Sequence, residues 1–202
     1  MNPKFGLFVL LLAALAGVAH GAGGPRARDL GVPFDGTPGP LNAVTDVAGV
    51  EVGHTTLIAG DGALVVGKGP VRTGVTAVLP RGKNSLDPVF AGWFSLNGNG
   101  EMTGTAWLEE SGFLEGPVLI TNTHSVGTVH DAVIQWRLRH GAPDKAGYSW
   151  SLPVVAETWD GYLNDVNGFH VKADDVFHAL DTAHGGAVEE GSVGGGTGMV
   201  CN

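Results

Sequence analysis

The stretch PVLITNTHSVGTVHDAVIQWRLRH, Pro117 to His140, changes its period partway along, and that change sets the fold class. Pro117 to Thr121 is a short apolar run that reads as a compact strand. Asn122, Thr123 and Ser125 interrupt it, and each can cap a helix start. Apolar positions then fall at Val126, Val129, Val133, Trp136 and the aromatic His140, a 3-4-3-4 spacing that lines one face of a helix. Gly141 and Pro143 end that helix.

The same alternation of strand and helix continues outward. LPVVAE, Leu152 to Glu157, reads as a second buried strand. Ala173 to His184, with Val176, Ala179, Leu180 and Ala183 on one face, reads as a second helix that stops at Gly185-Gly186. Upstream, short runs rich in valine and threonine occur at Val50 to Val52, Thr55 to Ile58, Ala63 to Val66, Gly74 to Leu79 and Val89 to Leu96, each bounded by Gly, Asp or Pro. The expected class is α/β (α+β), with sheet and packed helices, no fixed-period repeat and no interdomain linker.

Composition narrows the function. The chain has 202 residues, enough for one substantial core. Its formal charge of −9 repels phosphate backbones and anionic membrane surfaces, so nucleic acid is not an expected partner. The 34 glycines follow no G-x-y period and mark tight turns. At the start, Lys4 precedes an apolar run from Phe5 to Val18, with Ala19 and Gly21 at the −3 and −1 positions of a cleavage site. Residues 1–21 are therefore expected to be a signal peptide, leaving residues 22–202 as an exported, periplasmic or secreted domain with no membrane association after processing. The run is shorter than the roughly 20 residues that span a bilayer. Cys201 is the single cysteine, so no internal disulfide is expected.

Four stretches could carry chemistry. SLNGNGEMTG, Ser95 to Gly104, holds one full charge, Glu101, among glycines that allow close backbone approach; it suits a substrate ammonium group or is a solvated hairpin tip. THSVG, Thr123 to Gly127, resembles a nucleophile elbow without its first glycine, so Ser125 is either a nucleophile or a helix cap. WDGYLNDVNGF, Trp159 to Phe169, offers Asn164 and Asn167, which either donate to a developing oxyanion or simply form turns. GGGTGM, Gly194 to Met199, satisfies neither the dinucleotide fingerprint nor the P-loop pattern. The eight histidines include no H-E-x-x-H, and with no cysteine pair a metal site is not expected.

Taken together, TDVAGVEVGHTT, GPVRTGVTAVLPRG, SLNGNGEMTGT, EESGFLEGPVLITNTHSVG, PVVAETWDGYLNDVNGFHV and EGSVGGGTGM resemble, in order, the larger N-terminal chain of the DmpA-type aminopeptidases. That family includes L-aminopeptidase/D-esterases and β-peptidyl aminopeptidases. The resemblance implies a four-layer αββα sandwich like that of N-terminal-nucleophile hydrolases, completed by the C-terminal (β) chain of the same precursor. It implies self-cleavage after Asn202, exposing a serine nucleophile whose own α-amine, with a reference pKa near 8, serves as base. No cofactor is implied. By the same resemblance Glu101 binds the free amino group of a peptide or amide substrate, and Asn164 forms the oxyanion hole with Asn167 as rival. Phe113 stands where some members carry a tyrosine, so the pocket there is more apolar and lacks that hydrogen-bond donor. Homo-oligomers of two-chain units are implied as well. Two other readings stand beside this one: an internal Ser125 hydrolase, and a non-catalytic secreted module that binds amines at Glu101.

Overall fold

The computed structural model describes residues 25–85, 87–141 and 150–200. The expected signal peptide over residues 1–21, Pro143, Cys201 and Asn202 lie outside the described residues. In chain order the elements are β1 (Glu51–Ala59), β2 (Val71–Leu79), β3 (Val89–Phe90), α1 (Thr105–Ser111), β4 (Phe113–Leu114), β5 (Val118–Asn122), α2 (Val126–His140), β6 (Val154–Thr158) and α3 (Ala173–Asp181). One sheet runs β1-β2-β5-β6, and β3 and β4 form a separate two-stranded ribbon. The first two pairings are antiparallel and β5/β6 is parallel, as a crossover through α2 requires.

Alternation along the strands divides the sheet into two unlike faces. Val75, Ala77, Leu79, Leu119 and Val155 point to one side, where α2 contributes Val129, Val133 and Trp136 and α3 contributes Val176, Ala179 and Leu180. All are buried, and each Val or Leu side chain contributes about 1.5 to 3 kcal/mol through removal from water. The other face carries His54, Thr76, Ile120 and Ala156 in register, none of them fully buried. Leu108 of α1 and Leu114 of β4 pack with Val154 over one end of that face, and a turn at Gly194–Gly196 lies on it.

Where the structure departs from the sequence expectations, the cause is local. Of the runs Val50 to Val52 and Thr55 to Ile58, all but Val50 belong to one strand, because Gly53 is not a break: a Cβ there would collide with the carbonyl of Ala179, so glycine lets α3 approach β1. Ala63 to Val66 is not a strand. Gly60, Gly62, Gly67 and Gly69 all take positive φ around it, and only a single bridge, Val65 to Gly69, forms. Of Val89 to Leu96, only Val89 and Phe90 pair. The second helix closes at Asp181 instead of His184: the Thr182 hydroxyl caps the His178 carbonyl at 2.6 Å, and His184 leaves the helix to pair with Val52 on the edge of β1. α1 is a further helix, bounded by Gly104 and Gly112 in the left-handed conformation. Of the three cap candidates before α2, Asn122 is the one that bonds, its Oδ1 accepting the Ser125 N–H at 3.1 Å.

Candidate active site

The glycine-rich segment owes its composition to how closely it lies on the sheet. A Cβ on Gly74 would meet the Gly194 carbonyl, one on Gly195 would meet the Ile120 carbonyl, and one on Gly198 would overlap the Arg72 carbonyl. Gly194 and Gly198 also take φ of +54° and +78°. Side chains on the sheet grip this turn: the Gly194 N–H donates to Thr56 Oγ1 at 2.9 Å, the Gly195 N–H to Thr76 Oγ1 at 3.0 Å, and Thr158 Oγ1 donates to the Gly195 carbonyl at 2.9 Å.

Beside this segment lies a buried polar network centred on Asn164. Asn164 Oδ1 accepts the Arg72 N–H at 3.0 Å, and Asn164 Nδ2 donates to Asp160 Oδ1 at 3.1 Å. Asp160 also bonds Thr73, whose hydroxyl accepts from Asn122 Nδ2 at 2.8 Å, and Asn122 in turn holds the start of α2. A main-chain donor on one side and a carboxylate on the other fix which end of the Asn164 amide is nitrogen. Its second N–H has no acceptor among the described residues. Burial pushes the Asp160 carboxyl above the usual carboxylate range, partly opposed by its bonds from Thr73 and Asn164.

Gly198 packs on the carbonyl of the same Arg72 whose N–H binds Asn164, so one residue separates Asn164 from the glycine-rich segment. A cleft of about 260 Å³ opens here, lined in part by Arg72, Leu163, Thr197 and Gly198. Asn167 is placed differently. It lies exposed in the short helical turn Val166–Gly168, and no side-chain hydrogen bond holds it among the described residues. The adjoining Asp165 is instead buried, accepting from Gly67 N–H at 2.6 Å and bonding His170 Nε2 at 2.9 Å. Burial alone would raise its pKa, but those bonds outweigh burial and hold the carboxyl below the usual range.

Glu101 is exposed at the outer edge of the sheet. Its carbonyl accepts the Glu157 N–H at 3.0 Å, Met102 bridges Ala156 and the Thr103 N–H donates to the Val155 carbonyl at 3.0 Å, so Glu101 to Thr103 lie beside β6 and Glu101 is not at a hairpin tip. Glu157 immediately precedes Thr158, the residue that holds the Gly195 carbonyl. Phe113 sits half-buried in the β3/β4 ribbon and stacks on Phe90 with ring centroids 4.9 Å apart. Ser125 is buried, and no histidine bonds its hydroxyl among the described residues; the neighbouring His124 ring stacks instead on Phe169 at 6.0 Å.

Sequence reasoning singled out Asn164 and Glu101 but missed Asp160, Thr73 and Arg72 as the supports of Asn164, and Thr56, Thr76 and Thr158 as the grip on the glycines. The only local signal for Asp160 is its spacing of four from Asn164. The threonines give none, since strand register alone brings them together.

The profile described as Peptidase family S58 matches residues 42–202. Beta-peptidyl aminopeptidase BapA of Sphingosinicella microcystinivorans is 64% identical over 187 residues, covering 93% of this chain and 46% of that protein. Beta-peptidyl aminopeptidase BapA of Sphingosinicella xenopeptidilytica is 57% identical over 198 residues, covering 98% and 48% respectively. The solved L-aminopeptidase D-Ala-esterase/amidase of Ochrobactrum anthropi, described as a prototype for the serine aminopeptidases and a new variant among the Ntn hydrolase fold, superposes with a TM-score of 0.79 at 51% identity, over 88% of this chain and 49% of that one. The chain thus spans about half the length of the curated relatives it matches. Its fold is that of one part of this Ntn-hydrolase variant.

Proposed function

The chain belongs to peptidase family S58, and from that premise we propose that it is the larger, N-terminal part of a self-cleaving serine aminopeptidase or amidase. The precursor is exported, cuts itself after Asn202, and works as an oligomer of two-chain units. Its substrates are peptides, amides or esters with a free amino terminus, β- or D-residues included. The second chain covers the open sheet face and completes the four-layer sandwich.

In this reading the serine hydroxyl at the start of the second chain adds to the substrate carbonyl carbon, and the free α-amine beside it takes the proton. The carbonyl oxygen gathers negative charge, which the spare N–H of Asn164 meets. Collapse breaks the scissile C–N bond, the proton passes to the leaving amine, and water hydrolyses the acyl-serine. Glu101 attracts the substrate ammonium group, and the Phe113/Phe90 stack offers an apolar wall.

The observation that carries the proposal is the Asn164 amide, buried, oriented at both ends and one residue removed from the glycine-rich segment. A donor fixed before reaction needs no reorganisation when charge develops, the condition for oxyanion stabilisation. The test is the mass of the purified full-length product. Two fragments of unequal mass, the second beginning with serine, are expected; a single uncut chain that hydrolyses amides would overturn the reading.

A further inference from the structure

The turn at Gly194 and Gly195 has no side chain to fix it, and glycine surrenders more backbone freedom on ordering than any other residue. Its geometry is set from outside by the hydroxyls of Thr56, Thr76 and Thr158. Behind Thr76 stands a further residue. His54 is its cross-strand partner, and His54 Nδ1 lies 2.9 Å from Thr76 Oγ1. The opposite ring nitrogen, Nε2, is buried with no partner among the described residues.

The hydrogen-bond capacity of Thr76 is then accounted for. One lone pair of its oxygen takes the Gly195 N–H, and its single proton needs an acceptor. The imidazole is the group in place. Burial lowers the His54 pKa, with Glu189 opposing and His184 assisting, which favours the neutral ring, and in its Nε2–H tautomer Nδ1 accepts the Thr76 proton. A Cβ on Gly194 would lie 2.6 Å from that same nitrogen, so glycine, threonine and histidine form one close-packed unit.

We propose that His54 and Thr76 are positioning residues for self-cleavage: the imidazole orients the hydroxyl that holds the Gly195 N–H and so fixes the turn from which the chain runs on to the scissile carbonyl. This rests on the two-chain reading above. In the step they serve, the hydroxyl oxygen of the residue after Asn202 adds to the Asn202 carbonyl carbon. The C–N bond breaks, the nitrogen takes the hydroxyl proton to become the new α-amine, and water later hydrolyses the ester. Neither His54 nor Thr76 exchanges a proton with the reacting atoms. Their contribution is placement, and a misplacement of about 1 Å can cost about 100-fold in rate.

The experiment follows cleavage of the full-length precursor over time by intact mass. Thr76→Val keeps the shape but removes the hydroxyl, and cleavage should slow by about 10- to 100-fold. Thr76→Ser, which restores the hydroxyl, should cleave at close to the wild-type rate. His54→Leu should slow cleavage, while His54→Asn, which returns a polar atom near the Nδ1 position, should recover most of it. The double variant His54→Leu/Thr76→Val should be no slower than Thr76→Val. A Thr76→Val precursor that cleaves as fast as wild type, or a Thr76→Ser precursor as slow as Thr76→Val, overturns the proposal. Should Thr76→Val not fold, the two His54 variants decide, and equal rates for them overturn it. A wild-type precursor that never cleaves removes the two-chain reading and this proposal together, whereas normal cleavage with silent variants removes this proposal alone.

Discussion

Asn164 Nδ2 lies 3.1 Å from Asp160 Oδ1, and both side chains are buried. One helical turn of sequence separates them, and the main chain between them folds back so that the Asn164 N–H also reaches the Asp160 carbonyl at 3.0 Å. The carboxylate thereby fixes one amide hydrogen, and the other has no acceptor among the described residues. Such a support costs stability: a desolvated carboxyl is retained although burial raises its pKa. Its return is an amide held in one orientation.

If that donor meets the oxyanion, Asn164→Ala should lower kcat by about 100- to 1000-fold with little change in KM. Asp160→Ala, which removes only the support, should give a smaller loss of the same kind. Asn167→Ala should be nearly silent, because Asn167 is exposed and no side-chain hydrogen bond holds it among the described residues. Steady-state kinetics on one amide substrate checks all three, and a large loss at Asn167 with none at Asn164 would reverse the assignment.

Asp165 predicts an acid-side stability term. Its folded-state pKa is depressed, so the stabilisation is complete above the unfolded value of about 4 and is lost as pH falls through the folded value. Asp165→Asn should therefore lower the denaturation midpoint most near neutral pH, and the gap to wild type should close as the solution is acidified below about pH 4. A gap that stays constant with pH would mean that the carboxylate charge is not what His170 and Gly67 stabilise.

Glu101→Gln preserves size and hydrogen bonding while removing the charge. Charge-assisted bonds contribute about 1.5 to 3 kcal/mol, so kcat/KM for a substrate with a free amino terminus should fall about 10- to 150-fold. The N-acetylated form of the same ester should lose little. Equal losses on both would make Glu101 a structural residue or one used in self-cleavage.

The sequence made the periodic elements legible and hid those that depend on distant neighbours. Val126 to His140 is readable as a helix because its buried face repeats, and Leu152 to Glu157, which overlaps β6, is readable as a strand because Leu152 to Ala156 is apolar throughout. Gly53 looked like a break since nothing local announces that α3 needs its missing side chain. Ala63 to Val66 has strand composition but lies among positive-φ glycines that turn the chain before a second row of pairing can form. α1 is too short for its period to register between two glycines. In the site, Asn164 stands in a motif and could be named. Thr56, Thr76 and Thr158 come from three strands, and only their register brings them to one turn.

On the function proposed for it, this chain supplies binding and oxyanion groups while the second chain supplies the nucleophile, and among the described residues Ser125 is buried with no histidine bonded to its hydroxyl. The direct measurement compares two purified samples on one amide substrate with a free amino terminus: residues 22–202 expressed alone, and the self-cleaved full-length protein at equal concentration. Turnover by the cleaved two-chain protein and none by the isolated chain is the predicted result. Turnover by the isolated chain at a comparable rate would contradict the account and return the nucleophile to Ser125.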